Sequence, residues 1–221
     1  MVGAGDCYQP ILLPGKQDYV IAVDGGYDTL KKQGIKPDVV IGDFDSMQST
    51  VTDNNVVKLK PEKDETDMLY SIGYGANQGY TTFYIYGGTG GDRISHTIAN
   101  LQLLAYYPSL RCFLFDREEV TFLLSKGRVD FSKECSGYLS VLSVSDKCTG
   151  VWEQGLKYEL ENATLTNHFP LGVSNEFMGK DSFVSVEEGM LFICIEKVNL
   201  SQLSFMEGNG NSSGRSAHLL C

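Results

Sequence analysis

In the first half of the chain, short continuous apolar runs alternate with segments of helical period. Residues 19–23, 39–41, 56–59, 83–86 and 111–115 read as strands. Between them, a helix is predicted over 27–33, stopped by Gly34. A second begins near Glu65 with Asp64 at its N-cap, and Ile94, Ile98, Leu101, Leu104 and Ala105 mark a third. Residues 2–6 read as the end of a shortened first strand. Such an alternation predicts an α/β domain with a mostly parallel sheet and helices on both faces.

From about Glu119 the pattern changes. Strand-like runs at 138–142, 156–160, 183–186 and 190–195 are separated by Gly, Ser, Asn and Asp. That spacing predicts a C-terminal antiparallel β-sandwich. The expected organisation is an α/β domain over 1–122, a β-sandwich over 123–200 and a flexible tail over 201–221, where Gly, Asn and Ser are frequent.

Composition narrows the function. The chain is 42% hydrophobic and 21% charged, ordinary for a globular protein. Its formal net charge of −10 argues against a nucleic-acid partner. Any phosphate site must then be locally cationic or loaded with metal. Six cysteines form no C-x-x-C pair, and Cys112 and Cys194 lie in apolar runs. They read as buried free thiols of a reducing compartment. No basic-then-apolar leader and no apolar run of about 18 residues occurs, so the expected location is cytoplasmic, without membrane contact.

Candidate chemistry gathers where strands end. Asp24-Gly25-Gly26, Gly42-Asp43-Phe44-Asp45-Ser46 and Lys63-Asp64-Glu65-Thr66-Asp67 each follow a strand-like run. If the backbone stays extended through Phe44, Asp43 and Asp45 point to one side and can share a cation. Open α/β sheets bind ligands beyond the carboxyl ends of their strands. Hard cations such as Mg²⁺ take carboxylate and phosphate oxygens there. The alternative reading is plain turn chemistry, with Asp64 capping a helix. Gly87-Gly88-Thr89-Gly90-Gly91-Asp92-Arg93 lies between a strand and a helix. Glycines allow close approach to phosphate and Arg93 supplies a charged fork, although no Walker Lys-Ser/Thr follows. His96 is a surface histidine or a phosphate donor, and His168 belongs to a loop.

Taken in order, these motifs resemble the thiamine pyrophosphokinase family. The resemblance adds Gly34-Ile35-x-Pro37-Asp38, Arg93-x-Ser95-His96-Thr97-x-Ala99-Asn100, Gly155-Leu156-Lys157-Tyr158 and Val173-Ser174-Asn175-Glu176-Phe177. It implies pyrophosphoryl transfer from ATP to the hydroxyl of thiamine, giving thiamine diphosphate and AMP. It also implies a homodimer with shared active sites. By motif, Asp43, Asp45 and Asp67 would hold Mg²⁺ and act in catalysis with Arg93. Asp24, Gly25, Gly26, Lys63, Thr66, Gly88, Thr89, Gly90 and His96 would place ATP, while Tyr158, Ser174 and Asn175 would face thiamine. The chain departs from the family where Ser95 replaces an Asp, with Asp92 just before Arg93 and one extra residue in the loop. Two other readings stay open: a pyrophosphokinase acting on another hydroxymethyl substrate such as a pterin, and a thiamine- or nucleotide-binding protein without turnover.

Overall fold

The structure, a computed structural model, describes residues 1–7, 11–44, 55–196 and 199–207. The chain divides into two compact units, Met1–Leu103 with Cys112–Arg117, and Leu104–Arg111 with everything from Glu118 onward.

In the first unit β1 (Ile21–Val23), β2 (Val39–Gly42) and β3 (Val56–Lys58) pair in parallel, with Ala22 opposite Val40 and Ile41 opposite Val57. On the other side of β1 the expected first strand is reduced to Val2, which bridges in parallel to both Ala22 and Tyr86. Beyond it lie β4 (Thr82–Ile85) and β5 (Arg111–Phe115). The spatial order is therefore β3-β2-β1-Val2-β4-β5, and the direction of strand addition reverses at Val2. A reversal of this kind opens a crevice at the carboxyl ends of the flanking strands.

Among the described residues the helices here are α1 (Gly26–Lys32), α2 (Asp67–Asn77) and α3 (Ile94–Tyr106), the last ending in residues of the second unit. Ile21, Ala22, Val39, Val40, Ile41 and Ile85 are fully buried, as their continuous apolar runs required. Asp64 is not the cap of α2. Thr66 is, its hydroxyl accepting from the Leu69 N–H at 3.2 Å. Along α3 the apolar positions divide: Leu103 and Leu104 are buried, whereas Ile94 and Ile98 are exposed.

The second unit is antiparallel in every pairing described. Its strands are β6 (Glu119–Phe131), β7 (Tyr138–Ser143), β8 (Lys147–Gln154), β9 (Leu160–Thr166), β10 (Gly172–Glu176), β11 (Ser182–Glu196) and β12 (Leu203–Glu207). The runs expected at 183–186 and 190–195 are one strand. β11 pairs with β6 throughout, and its register shifts between Val186 and Met190. An irregularity of this type bends a strand without ending its pairing. Before the shift β11 meets β8, which carries β9; after it, β11 meets β7, which carries β10.

Two other expectations are corrected. Residues 156–160 are not a strand: Leu156 makes a single bridge to Phe177, the chain bends through Lys157 and Tyr158, and β9 starts only at Leu160. Gly155, at φ +77, turns the chain where a Cβ would sit 2.4 Å from the Asp181 carbonyl oxygen. Residues 203–207 are not tail. They form β12 against β6, and Phe205 packs edge-on to Phe122 at 5.4 Å. Cys112, Cys135 and Cys148 are buried free thiols, while Cys194, expected to be buried, is partly exposed. No described helix is long and apolar enough to cross a membrane.

Candidate active site

The ends of β1 and β2 and the start of α2 bring three carboxylates together. Asp24 ends β1 with its N–H on the Ile41 carbonyl at 3.0 Å. Asp43 follows β2, and Asp67 opens α2 behind its Thr66 cap. Burial, then the charge of Asp67, pushes the Asp24 carboxyl up to about 7; Asp43 adds to this, and the Phe44 N–H opposes it. The same N–H donates to Asp24 Oδ1 at 3.4 Å. Gly42 leaves the room this needs, since a Cβ there would lie 1.7 Å from that oxygen.

Lys63 supplies the positive charge of the cluster. Its ammonium pairs with Asp67 Oδ1 at 2.8 Å, and both side chains are about four-fifths covered. Burial works against its charge. The hydrogen bond to Asp67 and the fields of Asp67, Asp43 and Asp24 outweigh it, so the ammonium is held above its ordinary value.

The extended path through Phe44, on which the pairing of Asp43 with Asp45 was conditional, does not occur. Phe44 lies at φ +70 and Asp24 at φ +46. Left-handed backbone at non-glycine residues costs on the order of 1–3 kcal/mol and concentrates at functional sites. The alternation argument for pairing Asp43 with Asp45 therefore fails, and Asp45 itself lies outside the described residues. Carboxylates are still gathered here, but by Asp24 and Asp67 from neighbouring elements.

Across Val2, the glycine loop occupies the other side of the crevice. Gly88 and Thr89 are buried and Gly90 is exposed. The loop is tied down by protein groups: Thr89 Oγ1 donates to Asp116 Oδ1 at 3.0 Å, and Asn100 Nδ2 donates to the Gly88 carbonyl at 2.6 Å. Asp6 Oδ2 accepts from the Gly91 N–H at 3.1 Å, and the Asp6 N–H donates to the Thr89 carbonyl. A carboxylate thus takes one of the N–H groups expected for phosphate. Asp6 and Asp116 were not singled out in the sequence; the signal for Asp6 was its place after the shortened strand. Arg93, Ser95 and His96 are exposed at the start of α3. Gly25 is the N-cap of α1, and Gly26 packs so closely on the first strand that a Cβ would lie 1.9 Å from the Val2 carbonyl oxygen.

In the second unit the three thiamine candidates are neighbours with different roles. Tyr158 is 62% exposed. Ser174 is exposed at φ +60, its N–H on Ser140 Oγ at 3.1 Å. Asn175 is buried and points inward, so the structure places it beneath Tyr158 rather than at the surface. Its Oδ1 accepts from the N–H groups of Tyr158 at 3.0 Å and Glu176 at 2.9 Å. Its Nδ2 donates to the Tyr158 carbonyl at 2.6 Å and to Glu153 Oε2 at 2.8 Å. Lys157 pairs with Glu176 at 2.7 Å and carries its ammonium 5.6 Å from the Tyr158 ring centre.

Among the described residues, no group of three or more His, Cys, Asp or Glu side chains is placed to hold a metal ion unaided. The donor chemistry of the Asp24–Asp43–Asp67 cluster nevertheless suits a hard cation. Asp67 and Asp43 both bear on the charge of Asp24, whose carboxyl is raised by burial and by that repulsion.

Comparison with known proteins places the chain in a family. Residues 12–114 match the family description "Thiamin pyrophosphokinase, catalytic domain" and residues 126–191 match "Thiamin pyrophosphokinase, vitamin B1 binding domain". The chain is 30% identical over 183 residues to a thiamine pyrophosphokinase of Bacillus subtilis, covering 78% of this chain and 85% of the relative. It is 27% identical over 192 residues to thiamin pyrophosphokinase 1 of Caenorhabditis elegans, covering 80% and 79%. The crystal structure of the B. subtilis protein superposes with a TM-score of 0.79 at 26% identity, over 90% of this chain and 98% of that one. That of the Geobacillus thermodenitrificans protein gives 0.76 at 27%, over 91% and 97%.

Proposed function

The chain belongs to the thiamine pyrophosphokinase family, and from that premise we propose that it transfers the pyrophosphoryl group of ATP to the hydroxyl of thiamine. The hydroxyl oxygen bonds to the β-phosphorus, the bond from that phosphorus to the α–β bridging oxygen breaks, and AMP departs with that oxygen. The hydroxyl proton passes to solvent or a basic oxygen. The observation that carries the reading is the Asp24–Asp43–Asp67 cluster with Lys63, set beside the reversal of strand order. The match to a vitamin B1 binding domain over 126–191 favours thiamine over a pterin.

In this reading Asp43, Asp67 and, by motif, Asp45 would hold Mg²⁺, which would supply neutralising charge for the triphosphate. Asp24 supports those ligands from β1. Lys63 exchanges its pairing with Asp67 for phosphate oxygens, and Arg93 grips the triphosphate from the start of α3. Gly25, Gly26, Thr66, the 88–90 segment and His96 shape the nucleotide's surroundings. Tyr158 offers an aromatic face to the thiazolium cation, an attraction of about 0.5–2 kcal/mol, with Ser174 beside it. The second unit is taken to be a β-sandwich bent at the β6–β11 irregularity. The enzyme is taken to be a cytoplasmic homodimer in which Tyr158 and Ser174 of each copy complete the site of the other.

AMP release measured with thiamine and Mg·ATP tests the activity, and absence of AMP with active-site residues intact refutes it. Mixing Asp67→Ala with Tyr158→Ala protein tests the sharing of sites. Mixed dimers regain one intact site if sites are shared and none if each copy is self-sufficient.

A further inference from the structure

Glu153 lies on β8, 1% exposed, in register with Val184 of β11 and Leu160 of β9. Among the described residues only one of its carboxyl oxygens is bonded: Oε2 accepts from Asn175 Nδ2, while Oε1 has no partner there. Burial pushes its carboxyl up to about 7, and the Asn175 amide works against that shift. A buried carboxyl with an unmatched oxygen is a cost to the fold. An apolar side chain of similar length would remove that cost but would leave one Asn175 N–H without its acceptor.

What the carboxyl does contribute is the setting of one amide. Asn175 has two donors and an acceptor with two lone pairs, and the structure uses all four. Glu153 accepts from one hydrogen of Nδ2. The other is then directed at the Tyr158 carbonyl, and Oδ1 is left for the Tyr158 N–H. The backbone of an exposed tyrosine in a bend is thereby held from both sides, on a segment that is not a strand. The ring itself remains open to solvent.

We infer that Glu153 is a positioning residue for thiamine: through Asn175 it holds the Tyr158 backbone so that the ring is presented in one orientation. This rests on the reading of Tyr158 as the thiamine-facing aromatic. A pre-set ring spares the substrate the cost of ordering the bend, so the effect falls on thiamine binding and not on ATP.

The test is a set of steady-state measurements and melting temperatures on Glu153→Met, Glu153→Gln and Tyr158→Ala. The Met variant, which removes the acceptor but keeps the length, exchanges a buried carboxyl for one unpaired Asn175 N–H and is expected to fold with a melting temperature close to that of wild type. Its KM for thiamine is expected to rise at least about tenfold, with KM for ATP unchanged. The Gln variant keeps an acceptor and is expected to restore the thiamine KM. Should Glu153→Met fail to fold, Glu153→Asp withdraws the carboxyl from Asn175 and carries the same expectation. If Tyr158→Ala raises the thiamine KM while Glu153→Met leaves it within twofold of wild type, the positioning role is overturned and the Tyr158 reading stands. If neither raises it, both fall. Equal losses for thiamine and ATP would mark a merely structural role and also overturn the inference.

Discussion

Replacing Asp24 by Asn should stabilise the metal-free protein while removing its activity. Asn keeps the size of Asp24 and an oxygen for the Phe44 N–H, and adds an amide that can donate to Asp67. What it removes is a carboxylate whose pKa is raised from 3.8 to about 7, by burial first and then by Asp67. A raised carboxyl stabilises the fold fully below the unfolded value, and that stability is lost as pH rises towards 7. At pH 8 the wild type bears the whole penalty, near 4 kcal/mol were the group fully buried. Asp24 is only about half-buried, and solvent screening reduces this to about 1–2 kcal/mol. For a chain of this size that is a shift of a few degrees in Tm. The assay is thermal unfolding in chelator at pH 8 and pH 5. The Asn variant should melt higher than wild type at pH 8, and the gap should narrow at pH 5. Added Mg²⁺ should raise the wild-type Tm more than that of the variant, and AMP release by the variant should be lost. A variant that melts at or below wild type at pH 8 would refute the claim that repulsion within the cluster costs stability.

Gly42→Ala places a methyl 1.7 Å from Asp24 Oδ1; AMP release should fall at least about tenfold with circular dichroism little changed, and normal activity would show that the carboxylate position is not critical. Thr66→Ala removes the cap of α2 and should cost about 1 kcal/mol in urea unfolding of the first unit; an unchanged midpoint would contradict the capping role. Arg93→Ala should slow turnover at least about tenfold more than Ser95→Ala, a difference of about 1.4 kcal/mol of barrier, and the reverse order would move the essential charge away from Arg93.

The continuous runs at 39–41 and 111–115 identified strands correctly because burial on both faces leaves an unbroken apolar signature that depends only on local sequence. The acidic clusters and the ordered motifs were legible for a similar reason, since residue identity and spacing are properties of the chain itself. The run at 156–160, Leu-Lys-Tyr-Glu-Leu, also read as a strand. Its backbone, however, is claimed by the Asn175 side chain, which comes from a segment distant in sequence. Ile94 and Ile98 have helical spacing, but period alone could not say that the first turns of α3 face solvent. An extended path and a turn were both open at Phe44, and the bond from its N–H to Asp24, at the end of β1, accompanies a left-handed backbone there. Residues 203–207, Leu-Ser-Phe-Met-Glu, are mostly apolar but adjoin the Gly-, Asn- and Ser-rich end with which they were grouped, and pairing with β6 makes them a strand. Local period and residue type therefore determined which elements form and where charge collects. Only tertiary structure decided that Asp24 and Asp67 share one field and that Glu153 reaches Tyr158 through Asn175. Those outcomes depend on hydrogen bonds and desolvation between segments far apart in the chain, energies that no local pattern encodes.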